Sequence, residues 1–364
     1  MSDSRCPVTL LTGFLGSGKT TLLNQLMPLP QMAKALIIIN EFGSIGIDHD
    51  LVAHSNEDDT IVEMANGCLC CTIKGDLQKT LLEAPWRFAR HGERWFDRVL
   101  IETTGLADPA PIIHTVMVDD KLKSIYRLDS VIALVDGYNG NGTLDAQIEA
   151  VKQVAVADQL LISKTDIAAV ETVAGLKTRL SGLNPAAPIH SLPADTEQLG
   201  HLFEGPTFNP KLKQKNVTEW LAAEAYQEKD KHHHDHHSHG EHEHDHSHDV
   251  NRHDDRIRSV CLTIDTPLPA KVFDSWLEML VTFNGVNVLR VKGIINLAEL
   301  DKPIVIHGVQ HIWHPPEILE NWPSEDRRSR IVFILRDLEE TELRDMLAFV
   351  KDKSAGSIVE GLAL

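Results

Sequence analysis

Three things are scarce in this 364-residue chain, and each narrows what it can be. No apolar run approaches the ~20 residues that a membrane-spanning helix needs, so no membrane is expected among its partners. Basic residues are outnumbered: 35 Lys and Arg stand against 53 Asp and Glu, a formal charge of −18 at pH 7. Nucleic-acid phosphates are gripped by clustered Lys and Arg, so this balance argues against nucleic acid and suits cations better. Cysteine is sparse, at five. Cys6 and Cys261 stand alone and are expected to pack as small apolar residues, whereas Cys68, Cys70 and Cys71 are crowded together. That crowding cannot frame a disulfide scaffold; in a reducing compartment it reads as a set of thiolate ligands. The first functional pattern begins at residue 13, which leaves little room for a leader and points to a cytoplasmic protein.

What is present begins with Gly13-Phe14-Leu15-Gly16-Ser17-Gly18-Lys19-Thr20, a fit to the phosphate-binding loop G-x-x-x-x-G-K-[S/T]. The β-favouring run Val8–Leu11 precedes it, and helical spacing follows from Thr21 to Leu26. In that order, glycines let backbone N–H groups close around phosphate oxygens, and the helix N-terminus adds its positive end. Gly13, Gly16, Ser17, Gly18, Lys19, Thr20 and Thr21 are therefore the expected phosphate contacts. Lys19 is expected to reach the β- and γ-phosphates as a catalytic group, and the Thr20 hydroxyl to ligate Mg²⁺. A second segment, Arg98–Gly105, is an apolar strand ending in Glu102. Strand ends face the phosphates in such sheets, so Glu102 is the candidate to support Mg²⁺ or the attacking water, with Gly105 offering its N–H to the γ-phosphate. A third, Ser163-Lys164-Thr165-Asp166, resembles the guanine-reading N/T-K-x-D element. Asp166 can accept from guanine N1–H and N2–H₂, and the Lys164 stem can lie over the purine. Together these predict GTP rather than ATP, and its hydrolysis.

The cysteines come between the first two segments. In extended chain Cys68 and Cys70 face one side, and Cys71 joins them if the chain turns, for which Gly67 supplies the freedom. Three soft sulfurs suit Zn²⁺ or Cu⁺ and fit Mg²⁺ or Ca²⁺ badly, and three ligands leave a fourth position open, as transfer requires. Their place in the interval where nucleotide-sensing loops lie predicts coupling between metal affinity and hydrolysis. Residues 229–256 form a low-complexity stretch of His, Asp and Glu that cannot bury enough surface to order itself. The ten histidines from His232 to His248, with His232, His234 and His237 taken as ligands, are expected to capture metal. The stretch Ile306–His314 reads instead as strand core with exposed polar positions.

Apolar β-like runs alternate with helical patterns over the first part of the chain, which predicts a mainly parallel sheet covered by helices. Expected strands are Val8–Leu11, Ala35–Ile39, Val99–Ile101, Ser130–Val135, Gln159–Ile162 and Ile189–Leu192, with helices at Thr20–Met27, Gly75–Arg90, Ala146–Val156 and Val170–Leu180. Beyond the histidines, Ile257–Ile264, Leu268–Phe283, Val286–Leu297, Ile304–Trp313, Arg330–Leu335 and Glu339–Val350 follow a β-α-β-β-β-α order. The expected organisation is an α/β P-loop GTPase domain over residues 1–215, a linker over 216–256, and a smaller α+β domain over 257–364.

Thr9–Asn24, Asn40–Asp48 (NEFGSIGID), Asn66–Cys71 (NGCLCC), Ile101–Pro109 (IETTGLADP), Ser163–Asp166 and Ile306–Trp313 (IHGVQHIW) together resemble the CobW-like family of P-loop GTPases, in particular its YjiA-like branch of zinc chaperones. The resemblance spans nearly the whole chain. It implies a GTPase that binds Zn²⁺ at Cys68, Cys70 and Cys71 and inserts it into a client metalloprotein. It also implies that residues 13–20, Lys164 and Asp166 hold GTP, and that Glu41 and Asp48 lie near Mg²⁺ or the metal loop. Two positions depart from the family pattern: Ser44, where many relatives carry Glu, and Ser163, where Asn or Thr is usual. The same machine loading cobalt, nickel or iron remains an alternative, as do a passive zinc store or sensor and a signalling GTPase acting through the second domain. A homo-oligomer is compatible with the sequence.

Overall fold

The computed structural model describes residues 4–39, 60–63, 71–203, 256–313 and 316–360. The chain divides into two compact units, residues 1–181 with 187–207, and residues 182–186 with 208–364.

The first unit holds β1 (Cys6–Gly13), α1 (Lys19–Leu26), β2 (Ala35–Ile39), β3 (Thr60–Glu63), α2 (Cys71–Arg87), β4 (Ala89–Arg90), β5 (Glu93–Arg94), β6 (Arg98–Glu102), α3 (Ala110–Val118), α4 (Leu122–Ile125), β7 (Tyr126–Asp136), α5 (Gly140–Ala146), α6 (Ile148–Val156), β8 (Gln159–Ser163), α7 (Val170–Leu183), β9 (Ile189–Ser191) and α8 (Thr196–His201). Seven strands form one sheet in the order β3-β2-β6-β1-β7-β8-β9. Every pairing in it is parallel, which sharpens the expected "mainly parallel". The reason lies in the strands themselves. Ala35-Leu36-Ile37-Ile38-Ile39 is buried at all five positions, as is Gln159–Ser163, the mark of strands covered on both faces. On one face, Leu22, Leu23 and Leu26 of α1 and Leu199 of α8 pack with Leu11, Ile37, Leu100 and Leu134. Cys6 and Cys261 are both buried, as anticipated.

Register matters more for function than strand length. Leu11 pairs with Glu102, Gly13 with Leu134, and Asp136 with Ser163, so the carboxyl ends of β6, β1, β7 and β8 finish along one edge.

Several elements differ from expectation. The helix expected at Gly75–Arg90 spans Cys71–Arg87, and Ala89–Arg90 instead pair with Glu93–Arg94 in a separate hairpin. The helix expected at Ala146–Val156 is broken at Gln147, whose extended backbone (φ −131°) separates α5 from α6. β3, α3, α4 and α8 were not anticipated.

The second unit holds β10 (Ile257–Ile264), α9 (Ala270–Asn284), β11 (Val288–Ile295), β12 (Ile304–Val309), β13 (Ile312–Trp313), β14 (Glu317–Ile318), β15 (Ser329–Arg336) and α10 (Glu340–Glu360). Its sheet runs β10-β15-β11-β12-β13, with β14 on β12, and every pairing is antiparallel. Trp276 of α9 sits at the centre, edge-on to Phe333 at 6.3 Å, with its indole N–H donating to Leu343 O at 3.3 Å. The strand expected at Ile304–Trp313 is two, because Gln310 turns the chain with φ 54°. No described helix in either unit is long and apolar enough to cross a membrane.

Candidate nucleotide site

The loop between β1 and α1 is built from conformations that glycine alone adopts readily. Gly13 has φ 144°, and a Cβ there would lie 2.5 Å from Leu134 O on the neighbouring strand. Lys19 opens α1, is almost fully buried, and donates from Nζ to Gly13 O at 3.1 Å and Phe14 O at 3.4 Å. Its ammonium thus lies over the loop it follows in sequence. Thr20 Oγ1 donates to Glu102 Oε1 at 3.3 Å. Glu102 is 2% exposed, so the carboxylate at the end of β6 and the hydroxyl at the start of α1 meet inside the domain. Two hard oxygen donors at the head of a phosphate loop are the kind Mg²⁺ takes, and Thr20 and Glu102 therefore fit that ion. Thr21 is exposed at the next position of α1.

The segment after β6 is fastened from both sides. Thr103 N donates to Leu11 O at 2.9 Å and its hydroxyl to Thr12 Oγ1 at 2.9 Å. Gly105 comes so close to the phosphate loop that an added Cβ would lie 2.5 Å from Leu15 N. From the other side, Gln153 Nε2 donates to Gly105 O at 3.1 Å and Ala107 O at 3.0 Å, while Lys152 pairs with Asp108 at 2.8 Å. Adjacent residues of α6 therefore clasp the segment expected to sense the γ-phosphate.

At the end of β8, Ser163 Oγ donates to Ser17 O at 2.6 Å, tying the element expected to read guanine to the phosphate loop. The departure from Asn or Thr keeps a hydroxyl that reaches the loop. Lys164 sits in the left-handed region, φ 55°, and donates from Nζ to Asp136 Oδ2 at 2.7 Å. Asp136 also accepts from the backbone N–H groups of Tyr138 (2.8 Å) and Asn139 (3.0 Å). Burial pushes this carboxyl up, but the hydrogen bonds from Lys164, Asn139 and Tyr138 outweigh it and hold its pKa below the ordinary value. Asp166 lies on the exposed turn just beyond. A cavity of about 500 Å³ opens beside the loop, lined by Leu15, Ser17, Asp136, Asn139, Gln153 and Lys164 among others.

Gly13, Gly16, Ser17, Gly18, Lys19, Thr20, Glu102, Gly105, Lys164 and Asp166 thus gather at the carboxyl edge of one sheet. Cys71 is the first residue of α2. Cys68, Cys70, Glu41, His232, His234 and His237 lie outside the described residues, and among those described no group of three metal-ligating side chains occurs. Asp136 and Gln153 were missed. Asp136 ends an apolar strand just as Glu102 does, so the same signal was available for it. Gln153 has none, because its partners are set by tertiary packing.

A parallel α/β sheet carrying a phosphate loop, a strand-end carboxylate and an S-K-x-D turn at one edge defines a P-loop nucleotide-binding protein. More particularly, the chain belongs to the CobW/HypB/UreG family: that family's nucleotide-binding domain matches residues 7–191, and the cobW C-terminal domain matches residues 257–350. It is 32% identical to the zinc chaperone YjiA of Escherichia coli over 94% of this chain and 97% of that protein. It is 27% identical to the zinc-regulated GTPase metalloprotein activator 1 of Dictyostelium discoideum, over 94% of this chain and 80% of that one. Among solved structures, Zn(II)-bound YjiA GTPase from E. coli superposes with a TM-score of 0.67 at 26% identity, covering 96% of this chain and 99% of that chain.

Proposed function

We propose that this protein is a GTP-hydrolysing metallochaperone that takes zinc as cargo on Cys68, Cys70 and Cys71 and delivers it to a client metalloprotein. The observation that carries the nucleotide half is the meeting of Lys19, Glu102 and Ser163 around one glycine loop. In this reading the loop amides and Lys19 bind the β- and γ-phosphates, and Asp166 with Lys164 selects guanine. Mg²⁺ held by Thr20 and Glu102 would neutralise phosphate charge. In the same reading Glu102, at the end of β6, is the carboxylate that orients the attacking water. The cargo half is supported by the sequence cluster of Cys68, Cys70 and Cys71, the last of which opens α2, and by relatives named as zinc chaperones. Residues 229–256, with His232, His234 and His237, serve as the capture segment.

The test is multiple-turnover phosphate release with and without Zn²⁺, alongside zinc transfer to an apo-metalloprotein acceptor. Lys19→Ala is expected to lower turnover by at least ~100-fold, the scale of removing one preorganised group at a developing charge. Cys70→Ala with Cys71→Ala is expected to abolish transfer while sparing basal turnover. Transfer that persists at the wild-type rate in Lys19→Ala would instead indicate a passive zinc store.

A further inference from the structure

A basic, aromatic hairpin stands out on this acidic chain. From Trp86 to Arg98 the sequence carries four arginines against Glu93 and Asp97, in a protein whose formal charge is −18. Arg98 pairs with Asp129 at 3.2 Å, Arg94 Nε donates to Phe96 O at 2.9 Å, and Arg87, Arg90 and Arg94 belong to the hairpin and its approach. β4 pairs with β5, Arg90 opposite Glu93, across a turn in which His91 (φ 54°) and Gly92 (φ 83°) are both left-handed. Two such residues make the tight turn whose twist matches that of paired strands, so the hairpin holds a fixed shape without a core of its own.

Its side chains are set for contact. Trp86 is 81% exposed at the end of α2. The Arg90 guanidinium lies 4.3 Å from the centre of the Trp95 ring, Arg87 5.5 Å from Phe88, and Arg94 5.6 Å from Phe96. Stacking of this kind restrains planar guanidiniums beforehand, so less freedom is lost when they close on carboxylates. Glu83, one turn back on α2, sits against Lys79 at 4.0 Å. An exposed Trp beside restrained arginines is the composition of interface hot spots.

We propose that residues 86–95 are a docking surface for an acidic segment of a partner protein, with Trp86 as apolar anchor and Arg87 and Arg90 as carboxylate clamps. Charge complementarity chooses this occupant. A short acidic segment senses only charges within the Debye length, about 8 Å at physiological ionic strength, where the hairpin is basic. A nucleic acid is charged along its whole length and would meet the rest of the acidic surface. The helix that presents Trp86 begins at Cys71, so Trp86 stands about 22 Å along one helix from Cys71. This deepens the metallochaperone reading: identifying the occupant as the zinc recipient rests on it, but binding itself does not.

Fluorescence anisotropy on the full-length protein tests the surface, using a labelled peptide of alternating Asp and Glu around one Leu. The controls are its Gln/Asn counterpart and a single-stranded oligonucleotide. The acidic peptide is expected to bind, to weaken as salt rises, and to lose at least ~10-fold in affinity both in Trp86→Ala and in Arg87→Glu with Arg90→Glu. Thermal midpoints and basal GTP turnover are expected to stay at wild-type values in these variants. Absence of binding to the wild type, equal binding of the Gln/Asn peptide, unaltered affinity in both variants, or preference for the oligonucleotide would each overturn the proposal. A wild type that binds the peptide but does not hydrolyse GTP would sink the metallochaperone reading and leave the surface standing.

Discussion

Single side chains determine whether the phosphate loop and the base-reading turn act together. Ser163 is the residue that joins them, through its bond to Ser17 O. Ser163→Ala removes a buried hydrogen bond and is expected to cost about 1 kcal/mol of stability in chemical denaturation, with a several-fold loss in affinity for a fluorescent guanine nucleotide. Unaltered affinity would mean that the hydroxyl braces nothing. Asp136 holds Lys164, the residue proposed to lie over the base. Its folded pKa lies below the ordinary value, so its stabilising effect is complete above the ordinary carboxylate pKa, near 4, and fades only as pH falls through the lower, folded one. Asp136 therefore stays ionised between pH 8 and pH 5, and its titration is expected to leave guanine-nucleotide affinity unchanged over that range. Asp136→Asn should lose about tenfold across that range, the worth of a charged hydrogen bond. A titration step near neutrality that disappears in Asp136→Asn would contradict this.

At the scale of elements, the segment after β6 is held between the phosphate loop and α6, and its backbone has no room to spare. Gly105→Ala sets a Cβ 2.5 Å from a backbone nitrogen, which cannot step aside as a side chain would. About 1–3 kcal/mol of destabilisation is expected, with turnover lowered more than nucleotide affinity, if the displaced segment serves the γ-phosphate as proposed. Turnover and stability both at wild-type values would mean that the close approach does not matter. The sequence already disclosed much of this region. Apolar runs such as Ala35–Ile39 announce strands buried on both faces, and the glycine loop announces its own geometry. Other parts were silent for physical reasons. Neither Pro nor Gly marks the break at Gln147 between α5 and α6. Gln153 clasps Gly105 and Ala107 from more than forty residues away. Ser163 finds Ser17 across 146 positions. Helix α3 and the hairpin β4–β5 were more accessible, since Pro109 precedes the one and His91-Gly92 turns the other.

At the scale of the molecule, the question is how loss of a phosphate could alter a grip on zinc. Within the first unit the elements form a continuous series. The segment clasped by Gln153 leads directly into α3, α3 packs on α2, and Gln78 of α2 donates to Asp119 Oδ2, just past the end of α3, at 2.5 Å. α2 in turn begins at Cys71, so a shift of the segment proposed to face the γ-phosphate has a packed route to Cys71. Coupling of this kind is a free energy: a thousandfold difference in zinc affinity between the two nucleotide states needs about 4 kcal/mol, at 1.4 kcal/mol per tenfold. Competition titration against a chromophoric zinc chelator, with a non-hydrolysable GTP analogue or GDP bound, is expected to give a difference of at least ~10-fold. Gln78→Ala is expected to shrink that ratio without lowering nucleotide affinity, because Gln78 touches the route and not the phosphate loop. Equal zinc affinities in both nucleotide states would separate the two sites energetically. The same ratio in Gln78→Ala as in the wild type would show that the communication runs elsewhere than through the contact between α2 and α3.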